Sequence, residues 1–233
     1  MENGGRKMDC NRVNYLMGEI TPIIAGYLNK LNETHPNTCV HCMGTAYYAI
    51  GLTEQFISVD EKKTIVTHGA LLHDIGKSEI DDNIINKKGK LTQIERDLLM
   101  THPEKGAQIL KSDKEIKREI VNIALYHHER LDGSGYPYGL HTIPLEVSIV
   151  SVADVYEALT SKREYKRAYS KAEAMDILME EAEKNLLSKE LCELMSNETP
   201  LNYDEKTSLY HKVMKRCNDE ILKERCGYGK TNI

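Results

Sequence analysis

LEVSIVSVADVYEALTS, residues 145–161, is apolar almost all round a helical circumference, which predicts a buried helix at the centre of the domain. One of its three acidic residues is awkwardly placed. Asp154 shares a face with Val147, Val150 and Ala158, and an ionised carboxylate there is costly unless a cation or hydrogen bonds compensate it. A second awkward carboxylate lies upstream. Ile65, Val66, Leu71, Leu72 and Ile75 follow the charged start Glu61-Lys62-Lys63 at helical spacing, Gly76 stands at the expected C-terminus, and His73 and Asp74 fall in the last turn. A negative charge there opposes the helix dipole by about 0.3 to 1 kcal/mol, a cost that a bound cation would remove.

Outward from these two helices the helical pattern persists. Thr101-His102-Pro103-Glu104 reads as a capping box with proline in the first turn, placing His102 at a helix mouth. Gly133, Gly135, Pro137, Gly139 and Pro144 make 131–144 a loop between helices. Leu16, Ile20, Ile24, Leu28 and Leu31 near one end form an apolar stripe, with Pro22 set to kink or restart its helix. Leu209, Val213, Met214, Cys217 and Ile221 form another near the other end. Both stripes read first as packing on the chain's own core, and second as a seam for a homodimer or a signalling partner. No stretch alternates as a strand would, so the expected class is all-α.

With 40% hydrophobic and 29% charged residues, the 233-residue chain suits one compact domain. A net charge of −5 and a pI near 6.0 exclude broad DNA or acidic-membrane binding, so an anionic substrate must meet a local basic cluster. No apolar run reaches the roughly 20 residues needed to span a bilayer, and MENGGRKMDC carries no signal core, which together predict a cytoplasmic location. The six cysteines read as reduced thiols. Cys39 and Cys42 form a C-x-x-C around His41, but no second such pair exists to complete a structural zinc site.

Of nine histidines, His41, His73, His102, His127 and His128 fall at element ends or beside a carboxylate. Taken singly, each has an ordinary reading: Asp74 as a cap or half a salt bridge, His102 as a turn residue, and His68, His141 and His211 as packing or surface groups. Several histidines together with two awkward carboxylates point instead to metal.

The combination LLHDIGK (71–77), THPEKG (101–106), HHERLDGSGYP (127–137) and VADVYEALTSKREYK (152–166) resembles the HD-GYP family of the HD superfamily, from about His41 to Arg167. That resemblance implies an HD-type helical bundle around a dinuclear centre, with extra helices at both termini: an N-terminal segment over 1–36, the HD-GYP domain over 37–190 and a C-terminal extension over 191–233. It implies hydrolysis of cyclic di-GMP to linear pGpG, to GMP or to both, by in-line attack of a metal-bridging hydroxide. His41, His73, Asp74 and Asp154 would hold one metal, and His102, His127 and His128 a second, with Asp74 bridging. The resemblance favours iron or manganese. Asp74 and Lys77 would be the catalytic residues. Lys77, Gly135, Tyr136, Pro137, Arg163 and Lys166 would contact substrate, three of them supplying the local basic cluster. Glu129 and Asp132 would orient ligands or the loop.

The chain departs from the family pattern in places. Asn37 stands where some members carry a third-metal glutamate, which points to two metals. Gly44 replaces a usual arginine three residues after His41, leaving His35 as a rival ligand, and Glu157 replaces a common aspartate, altering its reach. The stretch ahead of His41 is too short for the sensory domain to which members are usually fused, so regulation is expected to come from partners, expression or the terminal helices. The competing readings are a phosphodiesterase for another cyclic dinucleotide or nucleotide, and a non-catalytic cyclic di-GMP-binding scaffold.

Overall fold

The computed structural model describes residues 8–56, 60–162 and 167–227, and among them the chain is helical without a strand. The helices are α1 (Cys10–Gly18), α2 (Pro22–Thr34), α3 (Pro36–Phe56), α4 (Asp60–Leu72), α5 (Asp82–Ile85), α6 (Gln93–Leu99), α7 (His102–Lys111), α8 (Arg118–Tyr126), α9 (Leu145–Thr160), α10 (Lys171–Glu183), α11 (Lys189–Met195) and α12 (Tyr203–Gly227). A 3₁₀ turn, Ile75–Glu79, follows α4.

α9 is the central helix that its composition predicts. Val147, Ile149, Val150, Val152, Ala153 and Tyr156 are fully buried, and the helix packs on α3, α4, α8, α10 and α11. α3 is equally enclosed, with Cys39, Cys42, Ala46, Tyr48, Ile50 and Leu52 sealed from solvent. Tyr48 meets Tyr156 edge to face at 5.0 Å, the arrangement the ring quadrupoles prefer, and its hydroxyl accepts the Leu201 N–H at 2.6 Å.

Both terminal stripes close on this core. Leu16, Ile20, Ile24, Leu28 and Leu31 are buried from the N-terminal side, and Leu209, Val213 and Cys217 from α12, which packs along α2 and α3. Pro22 restarts the chain as the first residue of α2, where its missing N–H costs nothing and Thr21 accepts the Ile24 N–H. Cys39 and Cys42 are free thiols, and burial pushes Cys39 up to about 12 and Cys42 well above its ordinary value, which keeps both protonated. No helix among the described residues is long and apolar enough to cross a membrane.

Three local expectations are corrected. α4 stops at Leu72, so His73 and Asp74 sit just past its end, where Asp74 precedes the 3₁₀ turn. Gly76 lies inside that turn and serves packing: a Cβ on it would stand 2.0 Å from the His102 carbonyl oxygen and 2.4 Å from Gly106 N. The capping box at Thr101 does not form, because its hydroxyl donates to the Leu98 carbonyl at 2.7 Å instead of capping α7.

Candidate metal centre

Five elements aim side chains at one buried point: His41 from the second turn of α3, His73 and Asp74 from just past α4, His102 from the first residue of α7, His127 and His128 from just beyond α8, and Asp154 from the centre of α9. The close contact at Gly76 and Gly106 sets the separation between the Asp74 turn and the mouth of α7. His102 Nε2 thereby comes within 3.2 Å of Asp74 Oδ1.

Asp74 lies between two groups. Its Oδ2 is 3.8 Å from His41 Nε2 and 3.5 Å from His73 Nε2, while Oδ1 faces His102 and, at 3.8 Å, His127 Nε2. Asp154 Oδ1 is 2.8 Å from His41 Nε2 and 3.8 Å from His73 Nε2. The ligand atoms of His41, His73 and Asp74 fall within 4.8 Å of one another, and so do those of His102, His127 and His128.

Hydrogen bonds set the ring orientations. The Nδ1–H groups of His73, His102 and His127 donate to the carbonyls of Ala70, Leu99 and Ala124 at 2.7, 2.7 and 2.9 Å. Each donor lies three residues beyond its acceptor. Each ring therefore turns an unprotonated Nε2 inward, the tautomer that a metal requires. His73 Nε2 and Asp74 Oδ1 are buried without a hydrogen bond, an expensive arrangement for polar atoms unless an ion takes them up. The residues present thus fit a metal pair, and mixed nitrogen and oxygen donors suit iron, manganese, zinc, cobalt or nickel alike.

Electrostatics keep His73, His127, His128, Asp74 and Asp154 in binding form, and act the other way on His41. Burial lowers His73, burial and the adjacent rings lower His127 well below its ordinary 6.5, and burial brings His128 to about 3. For Asp74, burial opposes ionisation but Lys77, at 2.6 Å, and the neighbouring histidines outweigh it; Asp154 is held ionised against burial by His41. Burial also opposes charge on His41, yet Glu157 and Asp154 raise it to about 10.

These shifts predict a stability profile for the chelated protein. Below about pH 6.5 the unfolded chain takes up protons that folded His73, His127 and His128 refuse, so stability falls with pH. His41 has the opposite sign: its contribution is complete below 6.5 and is lost as pH rises toward 10. Urea midpoints measured in chelator are expected to peak near pH 6.5, and a midpoint that kept rising down to pH 5 would contradict neutral buried imidazoles.

The turn after His128 is held from below. Buried Glu129 accepts the N–H groups of Tyr138 and Leu140 at 2.8 and 2.9 Å, and the Tyr136 N–H donates to the His128 carbonyl. A Cβ on Gly135 would come within 2.3 Å of Arg130 N, so only glycine lets the loop lie this close. Tyr136 stacks on His128 at 4.6 Å and 19°. Asp132 accepts from Ser134 in the turn, so both carboxylates shape the loop and, among the described residues, neither hydrogen-bonds a candidate ligand.

His35, the rival ligand, is buried elsewhere and pairs with Asp82 at 3.3 Å; it is His41 that joins the cluster. Asn37 is exposed. Arg163 and Lys166, the expected phosphate contacts, lie outside the described residues. Sequence reasoning missed a cleft of about 500 Å³ lined by Lys90, Leu91, Arg96, Leu99, Met100 and Tyr136. It also missed Ser161 and Lys206, both bonded to Glu157. Neither carries a local signal, since a lysine on a polar helix reads as solvated until the tertiary fold turns it inward.

An HD domain family model matches residues 28–191. A cyclic di-GMP phosphodiesterase of Pseudomonas aeruginosa is 35% identical over 179 residues, covering 73% of this chain and 43% of that protein. A cyclic di-GMP phosphodiesterase response regulator of Xanthomonas campestris is 42% identical over 141 residues, covering 59% and 36%. A 3'3'-cGAMP-specific phosphodiesterase of Vibrio cholerae is 32% identical, covering 67% and 31%. The chain therefore spans about a third to somewhat over two fifths of the length of these relatives. Among solved structures, an HDG"Y"P protein from Bdellovibrio bacteriovorus shares the fold at a TM-score of 0.60 and 22% identity, over 79% of this chain and 62% of that one.

Proposed function

The chain belongs to the HD domain family, in its HD-GYP branch, and we propose that it is a metal-dependent phosphodiesterase hydrolysing cyclic di-GMP to pGpG, GMP or both. The observation that carries this reading is the buried convergence of three inward-facing Nε2 atoms on Asp74, with polar atoms left unsatisfied. Two divalent ions, iron or manganese in the first instance, would supply a nucleophile from water at neutral pH and screen charge on the phosphate.

The chain's own residues do the rest. Asp74 joins the two donor groups, and Asp154 completes the His41–His73 side. Lys77, partly open to solvent and paired with Asp74, offers a cation to the phosphate where negative charge grows. Tyr136 holds the His128 ring by stacking, and burial, with Asp74 and Asp154 nearby, pushes its phenol upward, so it remains a neutral hydrogen-bond donor. The cleft beside it, with Lys90 and Arg96 over Leu99 and Met100, suits the flat base and second phosphate of a cyclic dinucleotide. Gly135 and Pro137 shape the turn that presents Tyr136 there.

The test follows cyclic di-GMP by chromatography with protein supplied with iron or manganese. Conversion to linear product that stops on chelation and returns with metal is expected. No turnover at full metal loading would favour the scaffold reading. The cGAMP-specific relatives favour a second substrate, so 3'3'-cGAMP belongs in the same assay; faster turnover of it would shift the assignment.

A further inference from the structure

We propose that Lys206, on the C-terminal helix α12, is a positioning residue for the metal centre, orienting His41 through Glu157. The inference rests on the metal-centre reading above. His41 differs from its partners: where His73, His102 and His127 are each turned by a carbonyl three residues back, His41 donates its Nδ1–H to a side chain, Glu157 Oε2. Its ring direction therefore depends on where that carboxylate is held.

Glu157 is held from outside the HD domain match. Its other oxygen, Oε1, is 2.6 Å from Lys206 Nζ and also accepts the Ser161 hydroxyl, which in turn bonds Lys206. The Lys206 side chain is 11% exposed and that of Glu157 3%, so the pair lies inside the protein, where a carboxylate needs a cation. α9 supplies Glu157 and its C-cap supplies Ser161, while α12 supplies the charge, from beyond residue 191 where the family match ends.

Gly44 makes the arrangement possible. A Cβ at that position would lie 2.9 Å from Glu157 Cγ and 3.0 Å from Oε1, so the missing side chain is the space the longer glutamate occupies. With both carboxylate oxygens engaged, Glu157 leaves His41 Nε2 facing Asp154 and Asp74. The C-terminal helix is thus part of the machinery that aims a ligand, beyond covering α2 and α3.

The experiment titrates the full chain with Mn(II) after chelation, in wild type, Lys206→Met, Lys206→Arg, Glu157→Gln and the double variant Glu157→Gln/Lys206→Met, with urea midpoints alongside. Lys206→Met is expected to weaken one of two Mn(II) sites by about 10- to 100-fold and leave the other unchanged, with recovery in Lys206→Arg. In the Glu157→Gln background, where no carboxylate needs a cation, Lys206→Met is expected to have no further effect on Mn(II) binding, and this comparison stands even if the single variant folds poorly. Wild-type Mn(II) affinity in Lys206→Met, or an equal loss with and without Glu157, would overturn the proposal while leaving the metal centre intact. A wild type that bound no Mn(II) would instead sink the metal centre itself, and the role of Lys206 with it.

Discussion

Asp74→Ala is expected to remove cyclic di-GMP turnover by far more than about 100-fold, the upper end of what loss of a mere supporting residue costs a metal site. The reason is its position. Oδ2 faces His41, His73 and Lys77, and Oδ1 faces His102 and His127, so one deletion strips a donor from both groups. It also withdraws the negative charge that offsets cations in a buried space. Asp74→Asn separates these effects, because the amide keeps the volume and loses the charge. Metal content measured beside turnover should fall below the wild-type stoichiometry in both variants. Unchanged turnover, or full metal occupancy with Asp74 absent, would show that the chemistry lies elsewhere.

Gly76→Ala should have the next largest effect, and it reaches the site through the backbone. The added methyl would stand 2.0 Å from the His102 oxygen and 2.4 Å from Gly106 N, and neither is the free end of a flexible side chain. The 3₁₀ turn must then draw away from α7, and the 3.2 Å approach of His102 to Asp74 goes with it. Overpacking of this kind costs about 1 to 3 kcal/mol, and occasionally more. Urea unfolding and metal stoichiometry should both register the change. Gly106→Ala is the internal control: its Cβ would meet Gly76 N at 3.2 Å, so the effect should be smaller. A Gly76→Ala protein with wild-type midpoint and metal content would mean the two segments have room to spare.

Much of this is legible in the sequence. The central helix follows from a stretch at 145–160 that is apolar almost all round, and Asp154 announces itself there as a charge needing a partner. The terminal stripes and the break at Pro22 were equally plain, because periodicity and proline act within a few residues. Other features were not. Thr101 looked like a cap, yet its hydroxyl found the Leu98 carbonyl of the preceding turn, a local competition that residue type does not decide. Gly44 and Glu157 read as two separate departures from the family pattern; in the fold one side chain fills the space the other leaves.

By itself, the sequence determined the helical class and the chemical kind of the site, since helical period and donor chemistry are properties of short segments and single side chains. Only the tertiary structure decided which ring nitrogens point inward, that His41 and not His35 joins the cluster, and that Lys206 stands behind Glu157. Those outcomes depend on contacts between residues far apart in the chain, such as His41 with Glu157 and Glu157 with Lys206, where packing and the need to pair buried charge select the partner.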